Sequence, residues 1–281
     1  MLSDDQVEQF QRDGFAVEEG FLSAAEVKEL LDDTDRICAG STLVDHDKSR
    51  IEMEPKQQPD GARVRRLYEP CSHYDRFRQL SEEGKLLDSL EQLIGPDIFF
   101  HYSKLNMKPA EIGSIVEWHQ DLAYHPLTNR DSVAVLIYLD DTDHSNGCLR
   151  MIPGRHTVAP MDHTDGRFFQ GKVTEAVDES TAVDVEGGAG TAIFMNAMTP
   201  HASALNTSAK PRRTLILSYR AADAFPVYTG EMTAATEVRV RLVRGRQLPF
   251  ARFSMSEFPI PVFEQVKSSL YELQEQSRDQ S

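Results

Sequence analysis

The spacing of hydrophobic positions changes near residue 97, dividing the chain into a helical first third and a strand-rich remainder. Ser23 stands three residues before Glu26, as in a capping box, and Val27, Leu30, Leu31 and Thr34 follow at helical spacing. A helix is expected there, lying against an apolar surface. A shorter amphipathic piece with Val7, Phe10 and Phe15 precedes it, and another over 81–94 carries Leu86, Leu87, Leu90, Leu93 and Ile94. Residues 40–76 are polar, charged and rich in turn formers, which predicts a long loop.

From Asp97 the pattern becomes short β-branched and aromatic runs broken by turn residues: IFFHYSKLNM, IVEWHQ, VAVLIYLD, CLRMIPG, TAIFMN and TLILSYR. With no helices interleaved, these predict a mainly β fold with flanking helices, an antiparallel sandwich or jelly roll rather than a βαβ sheet. Neither a repeat nor a linker divides the chain. The expected organisation is one domain over 1–281: a helical part and loop over 1–96, a core over 97–222 and a C-terminal extension over 223–281. The polar tail from Gln274 is expected to fray.

Composition narrows the function. The 281 residues are 40% hydrophobic, enough for a full core, and 45 Asp and Glu outweigh 30 Lys and Arg to give a net charge of −15. Such a chain repels a phosphate backbone, so nucleic acid is not expected as a partner. There is no apolar run long enough to span a bilayer and no secretory leader, so no membrane association is expected. Cys38, Cys71 and Cys148 are odd in number and far apart. They read as reduced packing thiols in a cytoplasmic protein.

The candidate chemistry lies in EWHQDLAY. His119 and Asp121 are two apart, so on extended backbone both side chains project from one face and can reach a single ion. His201 stands 82 residues later, where another core strand is expected to end. Two imidazoles and one carboxylate leave half an octahedron open, the ligand set of Fe(II) oxygenases. Arg212, eleven residues beyond His201, opens the strand RRTLILSYR with Thr214 on its face. A guanidinium grips a carboxylate with two prongs, and the pairing with metal ligands points to a dicarboxylate chelating the metal at its other end. Arg213 is the competing clamp; Arg212 is preferred because it is in phase with Thr214 and Ser218 rather than with Leu215 and Leu217.

These residues resemble the phytanoyl-CoA dioxygenase-like family of Fe(II)/2-oxoglutarate oxygenases. The likeness runs through QVEQFQRDGFAVEEGFLSAAEV, LNMKP, WHQD, DDTDHSNGCLRMIPGRH and HASALN followed by PRRT, in that order. It implies a cupin-like double-stranded β-helix, His119, Asp121 and His201 as the iron triad, and Arg212 on the far carboxylate of 2-oxoglutarate. It also implies that Asn106, Lys104, Tyr102 or Gln120 touches that co-substrate. O2 and 2-oxoglutarate would give CO2 and succinate while a C–H bond of a small substrate is hydroxylated, with desaturation, cyclisation or rearrangement as alternatives. A carboxylate at 121 disfavours the halogenating relatives, which have a small residue there. A non-catalytic member serving as a binding or regulatory protein is the reading of another class.

Loops over 40–76, 122–130 and 155–180 are expected to set the substrate. Tyr124 and His125 are either rim or substrate contacts. Arg63, Arg65 and Arg66 either hold an anionic substrate group or form ion pairs in a solvated loop, the second being preferred. Arg241, Arg244, Arg246 and Arg252 form a similar late cluster. Trp118 is expected to point away from the metal into the core, and His101 among other histidines reads as ordinary. The oligomeric state is left as monomer or homodimer.

Overall fold

The computed structural model describes all residues except 113, 228–238, 264–272, 276 and 278–281. Helix α1 (Asp4–Asp13) leads into strand β1 (Phe15–Glu18), and α2 (Ala24–Cys38) starts from the Ser23–Glu26 capping box. The expected loop is instead partly a sheet. It contains β2 (Ile51–Met53) and β3 (Val64–Tyr68), followed by a single turn, α3 (Pro70–His73). The polar texture of 40–76 concealed these strands because Arg65 and Arg66 are buried, their charges met by acidic side chains of the same segment. The amphipathic segment expected over 81–94 is α5 (Gly84–Ile94), and a further helix, α4 (Asp75–Ser81), precedes it across Glu82 and Glu83.

The strand-rich part supplies β4 (Ile98–Lys108), β5 (Val116–His119), a one-turn α6 (Asp121–Tyr124), β6 (Ser132–Tyr138) and β7 (Leu149–Met151). It continues with β8 (Val183–Val185), β9 (Ala192–Asn196), β10 (His201–Ser203), β11 (Arg212–Ala221) and β12 (Arg241–Arg244). One sheet runs β1-β9-β6-β11-β4-β3-β2, with β12 also paired to β4, and a smaller one runs β5-β10-β7-β8. All these pairings are antiparallel. This is the mainly β, cupin-like architecture expected, with helices flanking the larger sheet.

Strand β6 shows why the core reads as continuous apolar runs rather than alternation. All seven of its residues are buried because both faces are covered. Val133, Val135 and Ile137 pack with Leu30, Leu86 and Leu90 on the helical side, whereas Ala134, Leu136 and Tyr138 pack with Leu149, Met151 and Val185 of the smaller sheet. The SNGC turn is structural: Asp143 caps a 3-10 turn over His144–Asn146, and Gly147 takes φ 80° where a Cβ would lie 2.6 Å from the Ala204 carbonyl. Gln274, expected to fray, is instead fully buried; its amide donates to the Gly171 carbonyl at 2.6 Å and its Oε1 accepts from Glu117 N–H.

Candidate active site

His201 opens β10 rather than ending a strand, and its register partner on β5 is His119. Cross-strand pairing therefore brings together two residues 82 apart in the chain. Strand β5 stops at His119, but Gln120 stays extended (φ −121°, ψ 126°), so Asp121 returns to the same side although it begins α6. The ligand atoms of the three residues all lie within 4.8 Å of one another. Asp121 Oδ1 stands 3.7 Å from His119 Nε2 and 3.9 Å from His201 Nε2.

Two donors on one ion at roughly 2.1 Å can be at most about 4.2 Å apart, so the separations of Asp121 from the two histidines fit a shared metal. Each imidazole is oriented by the carbonyl two residues before it: Nδ1 of His119 donates to Glu117 at 2.8 Å and Nδ1 of His201 to Thr199 at 3.0 Å. That leaves both Nε2 lone pairs facing the carboxylate. Burial, reinforced by the adjacent His201, holds His119 well below its usual range of titration, and burial also lowers His201. Burial opposes the ionised Asp121, but His201, Lys104 and His119 outweigh it and keep the carboxyl below its ordinary range.

Beyond the triad lies a second group of polar residues. Arg212 and Thr214 project from β11 into a pocket that also holds Lys104, Asn106, His119 and His201. Arg212 is 3% exposed, yet its Nε and Nη2 have no hydrogen-bond partner, and neither does the Thr214 hydroxyl. Buried donors left unpaired are costly, and two guanidinium nitrogens with one hydroxyl match a carboxylate. Arg213 is spoken for: its Nε and Nη2 grip Asp140 at 2.9 and 2.6 Å. The residues present thus fit both a divalent metal and the carboxylate end of a dicarboxylate.

Some expected site residues are placed elsewhere. Gln120 does not line the Arg212 pocket: it is fully buried, its amide donating to Met198 O at 2.6 Å and its Oε1 accepting from Met161 N–H at 2.7 Å. It ties the strand between the ligands to two loops. Tyr102 lies outside the Arg212 pocket and lines a neighbouring cavity with Arg66, Lys104, Asp121, Tyr124 and His125. Asn106 does reach the Arg212 pocket, and its Oδ1 accepts from Arg66 Nε at 2.9 Å.

The basic cluster divides by strand face. Arg63 is exposed, and Arg65 is buried among Glu52, Glu54 and Glu275; only Arg66 faces the cavity. In the late cluster Arg241 bonds Glu82, Arg244 binds Asp88 and Glu91, and Arg252 binds Asp223 and Asp131. Tyr124 forms a wall, with its ring edge-on to His119 at 5.8 Å and its hydroxyl given to the Gly171 carbonyl, while His125 is exposed at the rim. Trp118 packs with Ile152, Met161, Val173 and Ala202, as expected.

Sequence reasoning missed His101 and Lys108. The β4–β11 register skips one residue between Tyr102 and Phe100, so His101 bulges and lines the cavity instead of the core. A one-residue slip of this kind leaves no mark in composition or spacing. Lys108 is 1% exposed; its ammonium donates to the Ser203 and Ala204 carbonyls behind His201, and burial with nearby Arg212 pulls it well below the usual lysine range.

Residues 10–214 match the family model described as phytanoyl-CoA dioxygenase (PhyH). A probable alpha-ketoglutarate-dependent hypophosphite dioxygenase of Stutzerimonas stutzeri is 33% identical over 89% of this chain and 88% of its own length. A methylphosphonate hydroxylase of Gimesia maris is 28% identical over 78% of this chain and 81% of its own. Among solved structures, EctD from S. alaskensis with 2-oxoglutarate and 5-hydroxyectoine superposes with a TM-score of 0.67 at 25% identity, covering 89% of this chain and 86% of that one. With the family model matching residues 10–214 and a relative 33% identical over most of both chains, the chain belongs to the phytanoyl-CoA dioxygenase family of iron- and 2-oxoglutarate-dependent oxygenases.

Proposed function

We propose that His119, Asp121 and His201 hold Fe(II), that Arg212 with Thr214 holds the far carboxylate of 2-oxoglutarate, and that the cavity beyond Asp121 receives the molecule to be oxidised. The unpaired Nε and Nη2 of Arg212, buried on the same pocket wall as both histidines, carry this reading. Iron held by His119, Asp121 and His201 would supply the oxidising chemistry by which 2-oxoglutarate and O2 become succinate and CO2 while a substrate C–H bond is hydroxylated. The chain's own residues position and enclose. The carbonyls of Glu117 and Thr199 fix the tautomers of the two histidines, Gln120 braces the backbone between His119 and Asp121, and Tyr124 and Leu122 wall the site from water.

The enzyme works in this reading as a single domain, since residues from Leu2 to Tyr219 share one apolar cluster. It acts on a small molecule as a monomer or homodimer in the cytoplasm, without nucleic acid or membrane. The net charge of −15 and the three free cysteines support that setting. Among the described residues no helix is long and apolar enough to cross a membrane.

The test is conversion of 2-oxoglutarate to succinate by Fe(II)-loaded protein in air, beside Asp121→Ala. Wild type is expected to turn over and to bind one metal per chain, and the variant to lose turnover and bind metal more weakly. Wild type without turnover, or Asp121→Ala with wild-type turnover, refutes the assignment.

A further inference from the structure

We propose that the cavity beside Asp121 selects a small oxyanion, anchored by the Lys104 ammonium and completed by His101 and Arg66, an inference that rests on the iron assignment above. Size comes first. The cavity measures about 170 Å³, below the roughly 300–1,000 Å³ of pockets that enclose drug-sized ligands. A molecule of a few heavy atoms fills it.

Charge follows from which groups already have partners. Arg66 reaches Glu52 at 3.8 Å and Asn106 at 2.9 Å. Asp121 faces the metal ligands, Arg212 awaits a carboxylate, and Lys108 gives its protons to carbonyls. Lys104 lines both pockets but makes no hydrogen bond or ion pair among the described residues; the Tyr102 ring centroid lies 5.9 Å from its Nζ. A divalent metal held there would be balanced by Asp121 and one carboxylate of 2-oxoglutarate, and Arg212 by the other. Lys104 is then a part-buried cation whose nearby carboxylates, Asp121 and Glu52, are engaged by the metal site and by the arginines of β3, an arrangement that an incoming anion relieves. Burial already draws Lys104 down to about 8.

Geometry adds a further donor. The bulge that turns His101 into the cavity leaves its buried Nδ1 without a partner. An ammonium, a guanidinium and an imidazole on two neighbouring strands suit the several oxygens of a phosphonate or phosphinate, and a small carboxylate shares that chemistry. The Stutzerimonas and Gimesia relatives are named for hypophosphite and methylphosphonate.

The experiment is calorimetry on protein loaded with Ni(II) and saturating 2-oxoglutarate, titrated with methylphosphonate, hypophosphite, propionate and, as a neutral molecule of similar shape, tert-butanol. At least one oxyanion is expected to bind and tert-butanol not; the phosphorus and carboxylate arms tell the two sources apart. Lys104→Met should weaken the oxyanion about thirtyfold or more while 2-oxoglutarate still binds, the loss expected when one partner of a buried charge pair is removed. His101→Phe, an independent variant, should weaken it about fivefold. The inference is overturned if tert-butanol binds as well as the oxyanions, if Lys104→Met changes oxyanion affinity less than twofold, or if that variant loses 2-oxoglutarate instead. Oxyanion failure beside intact 2-oxoglutarate binding sinks this inference alone, whereas wild type that binds no 2-oxoglutarate sinks the reading beneath it.

Discussion

Arg65 and Arg212 are equally buried, each 3% exposed, and their surroundings are opposite. Arg65 is surrounded by Glu52, Glu54 and Glu275 and donates to Ser114 at 2.8 Å. Arg212 has two guanidinium nitrogens facing a pocket with no partner. Burial of a charge therefore marks no function by itself. In β3 the charge is matched within the fold and holds strands together, whereas in β11 two donors face a pocket unmatched.

The largest expected effect that separates the two regions is on folding. Arg65→Ala strips the counter-ion from the buried Glu54 and should cost about 3–5 kcal/mol in denaturant unfolding, with 2-oxoglutarate affinity unchanged. A loss under 1 kcal/mol would mean that the cluster is no brace. Gln120→Leu comes next. Removing the side chain orphans Met161 N–H and Met198 C=O, at about 1–3 kcal/mol each, and metal affinity should drop about tenfold as the backbone between the ligands loosens. Unchanged metal affinity in that variant would confine Gln120 to folding.

A smaller effect follows from pH. Lys104 faces Asp121, Arg66, Glu52 and Tyr102, and its folded value near 8 lies below the ordinary 10.5. A lysine lowered by folding sheds its proton first in the native protein. Its burial penalty is thus full below about pH 8 and fades as pH rises toward 10.5, so this group makes the ligand-free protein more stable across that window. Affinity for hypophosphite or propionate, whose charge is constant in this range, should move the opposite way, falling at alkaline pH as Lys104 loses its proton in wild type and staying flat in Lys104→Met. Equal pH profiles would remove Lys104 from the anion site.

The contrast also explains what was legible in the chain. The triad was readable because His119 and Asp121 obey local alternation, and Arg212 because its phase with Thr214 is a property of one strand. The capping box at Ser23 and the apolar runs of β6 and β9 are local in the same sense. Strands β2 and β3 were hidden because their buried arginines become acceptable only after Glu52 and Glu54 are brought opposite them. His101 was hidden because its orientation depends on a bulge between β4 and β11, and Gln274 because its partners, Gly171 and Glu117, lie more than a hundred residues away. Whatever depends on long-range pairing of polar groups escapes a pattern reading.

The neighbouring arginines on β11 give the sharpest test of the central claim, because one is paired to Asp140 and the other is left with free donors. Anaerobic calorimetry of 2-oxoglutarate binding to Fe(II)-loaded protein should show one site per chain in wild type and in Arg213→Ala. In Arg212→Ala it should show affinity lower by about thirtyfold or more, the loss expected when a two-pronged carboxylate contact disappears. Wild-type affinity in Arg212→Ala, or the loss appearing in Arg213→Ala instead, would contradict the account.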